Sequence, residues 1–504
     1  MRGRGPGAAA RQKAAHVAMA RSCKLPRMAD SASLTRRAFV GGAAAGAGWL
    51  LARGLRGGPI AGATPPADAI LSALAASLTP RQRELVVFPA DDPSRQITNT
   101  ISVLERPHLG TLLSPSQRAL VQRLYESMLS EPGREAFAAT LAVEGRLDGC
   151  VLAVYGEPER GGAHAVIMGG HLMLRTGGDA ADGSPFGGGC AYGQQVGNGR
   201  WRVAGNAFAA HSDAANRFTA SLAPEERARA LLPTPPHELV LQVQGARGRF
   251  PGVRVESVTE TAQREAERLL DTVLATYPEA QRRQAQACVD ANGGIGALHF
   301  ACYEDRGFYA DMASYASLPA AERTRRGEPY WQVWRLEGPA AIVHFKGYPH
   351  VHAYVQVVRD PAQANVGEPL GELAAPLADA SLRELLEGAL RRATGEALAF
   401  HADEIPGRFC AGPVTTGLAY ALDPYRNRVA VATIAGAAMA PPLRDRLAAR
   451  GAAIDPAATY RIATLEYFAG RSDWFGDPSR VERGNTLFRD ALVAHLRAGA
   501  PQLA

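Results

Sequence analysis

The chain has 504 residues, with 55 Lys or Arg against 49 Asp or Glu, a formal net charge of +6. Eleven of the bases and one of the acids lie before residue 64, so the following 441 residues hold 44 bases and 48 acids, a charge of about −4. This part of the chain lacks the excess of basic residues that nucleic-acid binding requires, which excludes that class. Its length exceeds that of one compact core and predicts two or three domains.

The N-terminal segment is typical of an export signal. Arg36 and Arg37 precede a mildly apolar run at 41–51, the arrangement of a twin-arginine leader. Ala61–Ala63 offers small residues at the positions that a signal peptidase accepts, so we expect the leader to be residues 1–63. Met28 is the more natural start, because it gives a leader of ordinary length.

The leader predicts a destination and one partner. The twin-arginine translocation machinery would export the folded chain, so the mature protein is expected to be periplasmic or secreted. The apolar run has about a dozen residues, too few to cross roughly 30 Å of hydrocarbon, and we therefore expect no permanent membrane anchor.

The cysteines do not form a recognisable framework. Five follow the leader: Cys150, Cys190, Cys288, Cys302 and Cys410. The count is odd and no CxxC occurs, so neither a set of disulfides nor a cysteine zinc site is predicted. A single disulfide stays open as an alternative.

Four helix starts are visible along the first part of the chain. Thr79 and Ser114 each precede a proline, a pattern in which the hydroxyl caps the helix and the proline occupies its first turn. Ala223 precedes Pro224 in the same way. Ser257, with Glu260 three residues later, predicts a capping box for a fourth helix.

Two strand pairs have a similar layout. Cys150–Tyr155 with 164–174, and 297–303 with 330–345, are rich in β-branched and aromatic residues. Each pair turns at glycine, which indicates an internal duplication in which each half gives a helix and a β-hairpin to one shared sheet. The expected fold class is α+β, with a mixed, largely antiparallel sheet and flanking helices.

Glycine and proline mark two breaks. The segment 177–199 is glycine-rich and predicts a long exposed loop. Scattered Pro, Gly and Ala at 361–376 predict a linker between a main domain, 64–360, and a smaller α/β C-terminal domain, 377–504.

The main domain resembles domain-of-unknown-function family 3500 over residues of about 70 to 360. The likeness lies in Phe88–Arg95, Leu113–Arg118, Gly170–Leu172 and the stretch from Leu336 to Asp360, which includes His350-Val351-His352. The family has two adjacent histidines at the positions of Gly170 and His171, so Gly170 replaces the first of them here. The resemblance implies an exported protein and brings no reaction with it.

The C-terminal part resembles the C-terminal domain of 5′-nucleotidases. The likeness runs from the helix at 382–393 through 412–414 and Leu422–Asn427 to Tyr460–Thr464. It implies a shared fold and a nucleotide-binding function in which Tyr425 and either Trp474 or Phe475 stack on the base. The element that grips substrate in that family is replaced here by Ala402–Pro406, and the phosphoesterase domain that precedes it in that family has no counterpart in this chain.

Histidines are the best candidates for chemistry. His350 and His352 lie at alternate positions of a predicted strand, so both imidazoles can face one metal ion. His171 is the preferred third ligand, with His344 and His299 as alternatives. Zinc, manganese or iron would fit, while the competing interpretation is that these are ordinary sheet residues.

Lys346 is the only lysine after the leader and lies among these histidines. Its amine, or the carboxylate of Glu337, could assist an acid–base step, although a solvated turn is the simpler interpretation of the lysine. Asp91, Asp92 and Arg95 predict a turn held by an ion pair, with carboxylate ligands as the alternative.

These features favour an exported metal-assisted hydrolase of a small substrate, such as a nucleotide or another phosphoester. The alternative is a non-catalytic periplasmic protein that binds a ligand or has a structural role.

Overall fold

A computed structural model describes residues 67–499 except 102, 145, 178–184, 195–205, 304–330, 348–349, 403–404 and 406. The predicted leader lies outside these residues, as do two parts of the predicted loop at 177–199. Among the described residues, no helix combines the length and the hydrophobicity needed to cross a membrane.

The helices before residue 292 pack on one side of a large sheet. They are α1 (Ala67–Ser77), α2 (Pro80–Val86), α3 (Leu109–Leu112), α4 (Pro115–Ser127), α5 (Glu131–Glu144), α6 (Ala209–Ser221), α7 (Pro224–Ala230), α8 (Glu260–Leu274) and α9 (Glu279–Ala291).

Their starts follow the predicted chemistry in three cases out of four. Thr79 and Ser114 each accept a hydrogen bond from the third residue of the helix, and Ala223 begins the α7 helix at Pro224. The fourth prediction was wrong by two residues: Thr259 is the cap of α8, because Ser257 belongs to a separate 3-10 turn. The physical rule, a hydroxyl that satisfies a free amide, holds at the corrected position.

The large sheet contains the strands β1 (Val87–Phe88), β2 (Val151–Tyr155), β3 (His164–Gly169), β4 (Leu172–Gly177), β5 (Cys190–Gln194), β6 (Leu231–Leu232), β7 (Val253–Arg254), β8 (His299–Tyr303), β9 (Val333–Glu337), β10 (Ala341–Lys346) and β11 (Val351–Val357). The spatial order is β1-β2-β3-β4-β5-β11-β10-β9-β8-β6, and β7 pairs with β8.

This order repeats one unit twice in opposite directions. In each half a two-residue strand lies parallel to the first strand of an antiparallel meander, β1 beside β2 and β6 beside β8. The halves meet where β5 and β11 pair antiparallel, so that a pseudo-twofold axis runs between them. The α+β class and the mixed, largely antiparallel sheet are confirmed, and the symmetric order is what a duplication would produce.

The two faces of the sheet differ in chemistry. Along β11, Val351, Ala353, Val355 and Val357 join the core under the helices, so the alternate residues point to the other face. That second face is covered by residues such as Leu239 and Leu241. It buries the polar side chains Arg175, Arg335, Glu337, His344, His352 and Gln356. A buried polar face requires partners for every charge, and it holds the candidate site.

The C-terminal part has its own core. It contains β12 (Pro369–Leu373), α10 (Asp379–Thr394), β13 (Leu398–Ala399), β14 (Gly412–Thr415), α11 (Thr416–Leu422), β15 (Arg428–Ala435), α12 (Pro441–Ala449), β16 (Thr459–Leu465), α13 (Glu466–Ala469), β17 (Arg480–Leu487) and α14 (Phe488–Arg497). A four-stranded sheet has the order β13-β16-β15-β17, and β12 pairs with β14. The predicted linker at 361–376 thus contains a strand of this part.

Both parts belong to one compact unit, which begins at Ala67. The amide of Val366 donates to Gln96 Oε1 at 2.9 Å, and the amide of Cys410 donates to Gln242 Oε1 at 3.3 Å. The C-terminal part therefore contacts the segments that lie over the polar face. The division into two domains at this linker stays a prediction.

A buried histidine makes the stability of this fold sensitive to acid. His211 on α6 is 5% exposed, its Nε2 lies 2.9 Å from the hydroxyl of Tyr192, and burial lowers its pKa to about 4. In the unfolded chain His211 takes up a proton near pH 6.5, but in the folded chain only near pH 4. The contribution of the neutral ring to the free energy of unfolding is therefore complete above pH 6.5 and is lost as the pH falls towards 4. The expected loss is about 3 kcal/mol.

The variant His211→Gln keeps a polar group beside Tyr192 and removes the titration. Urea unfolding at pH 7.5 and pH 4.5 should show a smaller acid-induced loss for the variant than for the wild type. Equal losses in the two proteins would contradict this assignment.

Candidate metal centre

His171 is placed by an unusual backbone conformation. It lies at the turn between β3 and β4 with a φ of 49°, in the left-handed region that few non-glycine residues adopt. Its amide donates to the carbonyl of Thr100, and its carbonyl accepts from the amide of Gly193 at 2.9 Å. These two bonds hold a conformation that costs about 1 kcal/mol or more, a feature common at functional sites.

Glycine 193 brings two imidazoles together across three strands. Gly193 pairs with His352 on one side and bonds to His171 on the other, so it lies between them. A Cβ atom at this position would lie 3.2 Å from Cδ2 of His171 and 2.0 Å from the carbonyl oxygen of Val351. The absence of a side chain therefore lets the rings of His171 and His352 approach, with centroids 5.1 Å apart.

His350 completes the cluster from the residue before β11. Its ring centroid lies 4.4 Å from that of His352 and 4.9 Å from that of His171. One ring nitrogen from each of the three lies within 4.8 Å of the others. His171 and His352 are buried and His350 is half-buried. The structure thus brings together the three residues that the sequence predicted as ligands.

Glu238 was missed by the sequence analysis. Its Oε2 lies 3.0 Å from Nδ1 of His352 and 2.9 Å from Nζ of Lys346, so one carboxylate oxygen serves both groups. Glu238 lies in a segment without regular structure, 114 residues before His352. The only signal in the sequence was an acid next to His237, which does not reveal that contact.

The carboxylate orients the proton of His352. Since Glu238 is an acceptor, Nδ1 of His352 carries the hydrogen and its Nε2 presents a lone pair. Nε2 of His350, 2.8 Å away, then donates to that lone pair. The lone pair of His352 therefore points into the cluster, as a ligand requires, and a carboxylate behind a histidine is a common second partner in metal sites.

Burial favours the neutral imidazole at His350 and at His352. Burial lowers the pKa of His350 to about 2, and a proton on a neighbouring imidazole would repel a second proton here. Burial also lowers the pKa of His352 to about 4, although the Glu238 carboxylate acts in the opposite direction. Burial alone would raise the pKa of Glu238, but Lys346 and His352 hold it well below its usual range. The neutral rings of His350 and His352, beside the ionised carboxylate of Glu238, are ready to bind a cation at pH 7.

The donor set fits a transition-metal ion. Tetrahedral zinc with nitrogen ligands at 2.0 to 2.1 Å needs nitrogens about 3.3 Å apart. The present nitrogens lie within 4.8 Å, so small movements of the three rings would reach that geometry. Three nitrogen ligands leave a fourth position for water or substrate, which is the arrangement of a catalytic rather than a structural site.

The other predicted site residues near the sheet lie elsewhere. Glu337 is 2% exposed and paired with Arg335 and Arg408. It is opposite Ile342 on β10, four residues from Lys346, or about 13 Å along the strand. His344 and His299, the alternative third ligands, are absent from the cluster of ligand atoms in the described residues.

The predicted base-stacking residues pack against different hydrophobic clusters. Tyr425 packs beside the polar-face cluster, whereas Trp474 packs on the C-terminal core and is stacked on Phe468 at 5.6 Å between centroids. Phe475 is 0% exposed within that core. Its ring has no surface to offer a base, because it fills the interior that the strands enclose.

The structure also bears on the cysteines and on the turn predicted at Asp91, Asp92 and Arg95. None of the five cysteines after the leader is disulfide-bonded, and all are buried. At the predicted turn, Asp92 caps a 3-10 helix by accepting from the amide of Ser94 at 2.9 Å, and Arg95 Nη1 donates to the carbonyl of Ala90 at 2.8 Å. These contacts give Asp92 a structural role in the turn.

Similar solved structures cover part of the chain. One is a 5′-nucleotidase precursor from Thermus thermophilus, 14% identical over 34% of this chain and 47% of that chain, with a TM-score of 0.23. Another is a protein from Staphylococcus aureus described as a 5′-nucleotidase and solved in complex with alpha-ketoglutarate, 12% identical over 34% of this chain and 49% of that chain, with a TM-score of 0.20. The chain thus spans about half the length of these structures.

The sequence itself matches one family, and no curated protein matches it. The family is described as "Protein of unknown function (DUF3500)" and its match covers residues 63–313. The match begins next to the end of the predicted leader and ends before residue 360, the limit expected above. It includes His171 and Glu238, while His350 and His352 follow it. Residues 63–313 of this chain thus match the DUF3500 family.

Proposed function

We propose that this protein is an exported metal-dependent hydrolase of a small substrate, with His171, His350 and His352 as the metal ligands. One observation carries the proposal: ring nitrogens from these three residues, which are separated by up to 181 positions in the chain, lie within 4.8 Å of one another. A bound divalent ion would polarise a carbonyl or phosphoryl oxygen and lower the pKa of a water ligand.

The surrounding residues prepare the site for such an ion. Glu238 keeps Nε2 of His352 unprotonated, and the left-handed turn at His171 aims its ring at the same point. The partial exposure of His350 provides the side from which a small substrate would enter. The residues of the C-terminal part that reach the polar face would limit the size of that substrate.

In this proposal Lys346 balances charge and does not transfer a proton. Its contact with Glu238 balances the buried carboxylate, whose other partner is His352. Removing one partner of such a buried pair is costly, so the lysine stabilises the orienting carboxylate.

The direct test uses protein exported from cells with its own leader. Elemental analysis should find about one zinc, manganese or iron ion per chain, and a panel of phosphoester, ester and peptide substrates should reveal hydrolysis that a chelator abolishes. Stoichiometric metal without any hydrolysis would favour the non-catalytic alternative. Protein that holds no metal and cannot be loaded would end the proposal.

The variant Lys346→Arg separates charge balance from proton transfer. Arginine keeps the positive charge and effectively never loses a proton. We expect the variant to keep its metal and most of the hydrolytic activity, within about tenfold of wild type. Lys346→Met, of similar length but uncharged, is the matched comparison and should weaken metal binding. Loss of activity in Lys346→Arg with metal retained would instead make the amine a catalytic group.

A further inference from the structure

We propose that Arg335, Arg408 and Tyr303 bind a small anionic group, a phosphate or a carboxylate, on the same sheet face as the histidines. This inference does not depend on the hydrolase proposal. It rests on an imbalance of charge and of hydrogen-bond donors inside the protein.

The three side chains come from different elements and lie on the same face of the sheet. Arg335 and Glu337 lie two residues apart on β9 and therefore share a face. Ala301 on β8 is directly opposite Arg335, and its methyl group fills little of the space there. Tyr303 follows two residues later on the same side of β8, and Arg408 reaches the cluster from the C-terminal part.

The buried charges do not balance. Arg335 Nη1 lies 3.7 Å and Arg408 Nη2 lies 3.3 Å from one and the same oxygen, Oε2 of Glu337. The side chains of Arg335 and Glu337 are 1% and 2% exposed. No other ion pair of either arginine occurs among the described residues. A buried positive charge without its own counter-ion is destabilising, and a bound anion would offset this cost.

The unused donors fit an oxyanion. Among the described residues of this cluster, four buried donor atoms have no hydrogen-bond partner: Nη1 and Nη2 of Arg335, Nε of Arg408 and the hydroxyl of Tyr303. One acceptor, Oε1 of Glu337, also has none. Burial raises the pKa of Tyr303 to about 12, so its hydroxyl keeps its proton. The planar fork of a guanidinium matches the oxygens of carboxylates and phosphates.

The cluster is open on one side and close to the histidines. The side chain of Arg408 is 26% exposed, which makes it the entrance. Arg335 is opposite His344, two residues along β10 from Lys346, which is opposite His352. Strand spacings place Arg335 about 12 Å from His352. If the proposed hydrolase acts on an anionic substrate, this cluster would hold the charged end.

The test is isothermal titration calorimetry of the mature protein, with inorganic phosphate in one titration and acetate in another. We expect one saturable site for at least one of the two anions. Arg408→Gln should weaken binding by about tenfold or more, since the variant loses a charged hydrogen bond to the anion. Arg118→Gln, a similarly exposed arginine paired with Asp148, should not change it.

A second variant should change the affinity for anions in the opposite direction. Glu337→Gln removes the carboxylate that competes for the two guanidinium groups, so anions should bind more tightly than to wild type. Repeating the titrations on His350→Ala/His352→Ala separates this site from the metal centre, because binding should persist there. Absence of saturable binding, or equal affinities in Arg408→Gln, Glu337→Gln and wild type, would overturn the inference.

Discussion

The double variant His350→Ala/His352→Ala is expected to lose its bound metal completely, from about one ion per chain to none. The two side chains supply two of three ligand nitrogens, and His171 alone cannot hold a transition metal at micromolar concentration. The measurement is elemental analysis of protein exported and purified in parallel with wild type. Any hydrolytic activity should disappear with the ion.

The control for this variant is His108→Ala. His108 is exposed, and its side chain makes no capping bond to the helix that follows it. Its metal content should equal that of wild type. Circular dichroism should show that the double variant is folded, since Glu238 keeps its contact with Lys346. A folded double variant with unchanged metal would rule out the three-histidine centre.

Glu238→Gln is expected to weaken metal binding by about 10- to 100-fold, the usual effect of removing a partner behind a metal-binding histidine. The amide no longer selects the Nδ1–H form of His352, because it can either donate or accept. Competition with a chromophoric chelator would measure the affinity. Unlike the double histidine variant, this one should still bind an ion when metal is in excess.

Lys346 also contacts Glu238, so the Glu238→Gln variant needs a control in which the lysine is changed as well. Glu238→Gln removes the carboxylate that faces the half-buried Lys346, and that loss alone should destabilise the fold. Glu238→Gln/Lys346→Gln removes both charges and should recover stability in urea unfolding without recovering metal affinity. If affinity returned together with stability, the carboxylate would be needed only for charge balance.

Local patterns predicted much of the fold. Hydroxyl residues before prolines marked the starts of two helices, because the cap is a contact between residues three apart. The two glycine turns revealed the repeated hairpins, and the strand order around β5 and β11 is symmetric as a duplication requires. The misplaced cap at Ser257 shows the limit of this reasoning, since Thr259 has the same hydroxyl chemistry two residues away.

The sequence by itself determined that His350 and His352 share a face, because side chains on a strand alternate. Only the tertiary structure decided which acid stands behind them and what surrounds Lys346 and Glu337. Those contacts depend on how a segment without regular structure crosses the sheet and on how the C-terminal part packs over it. No local pattern encodes such pairings, because they arise from the need of each buried charge to find a partner from any part of the chain.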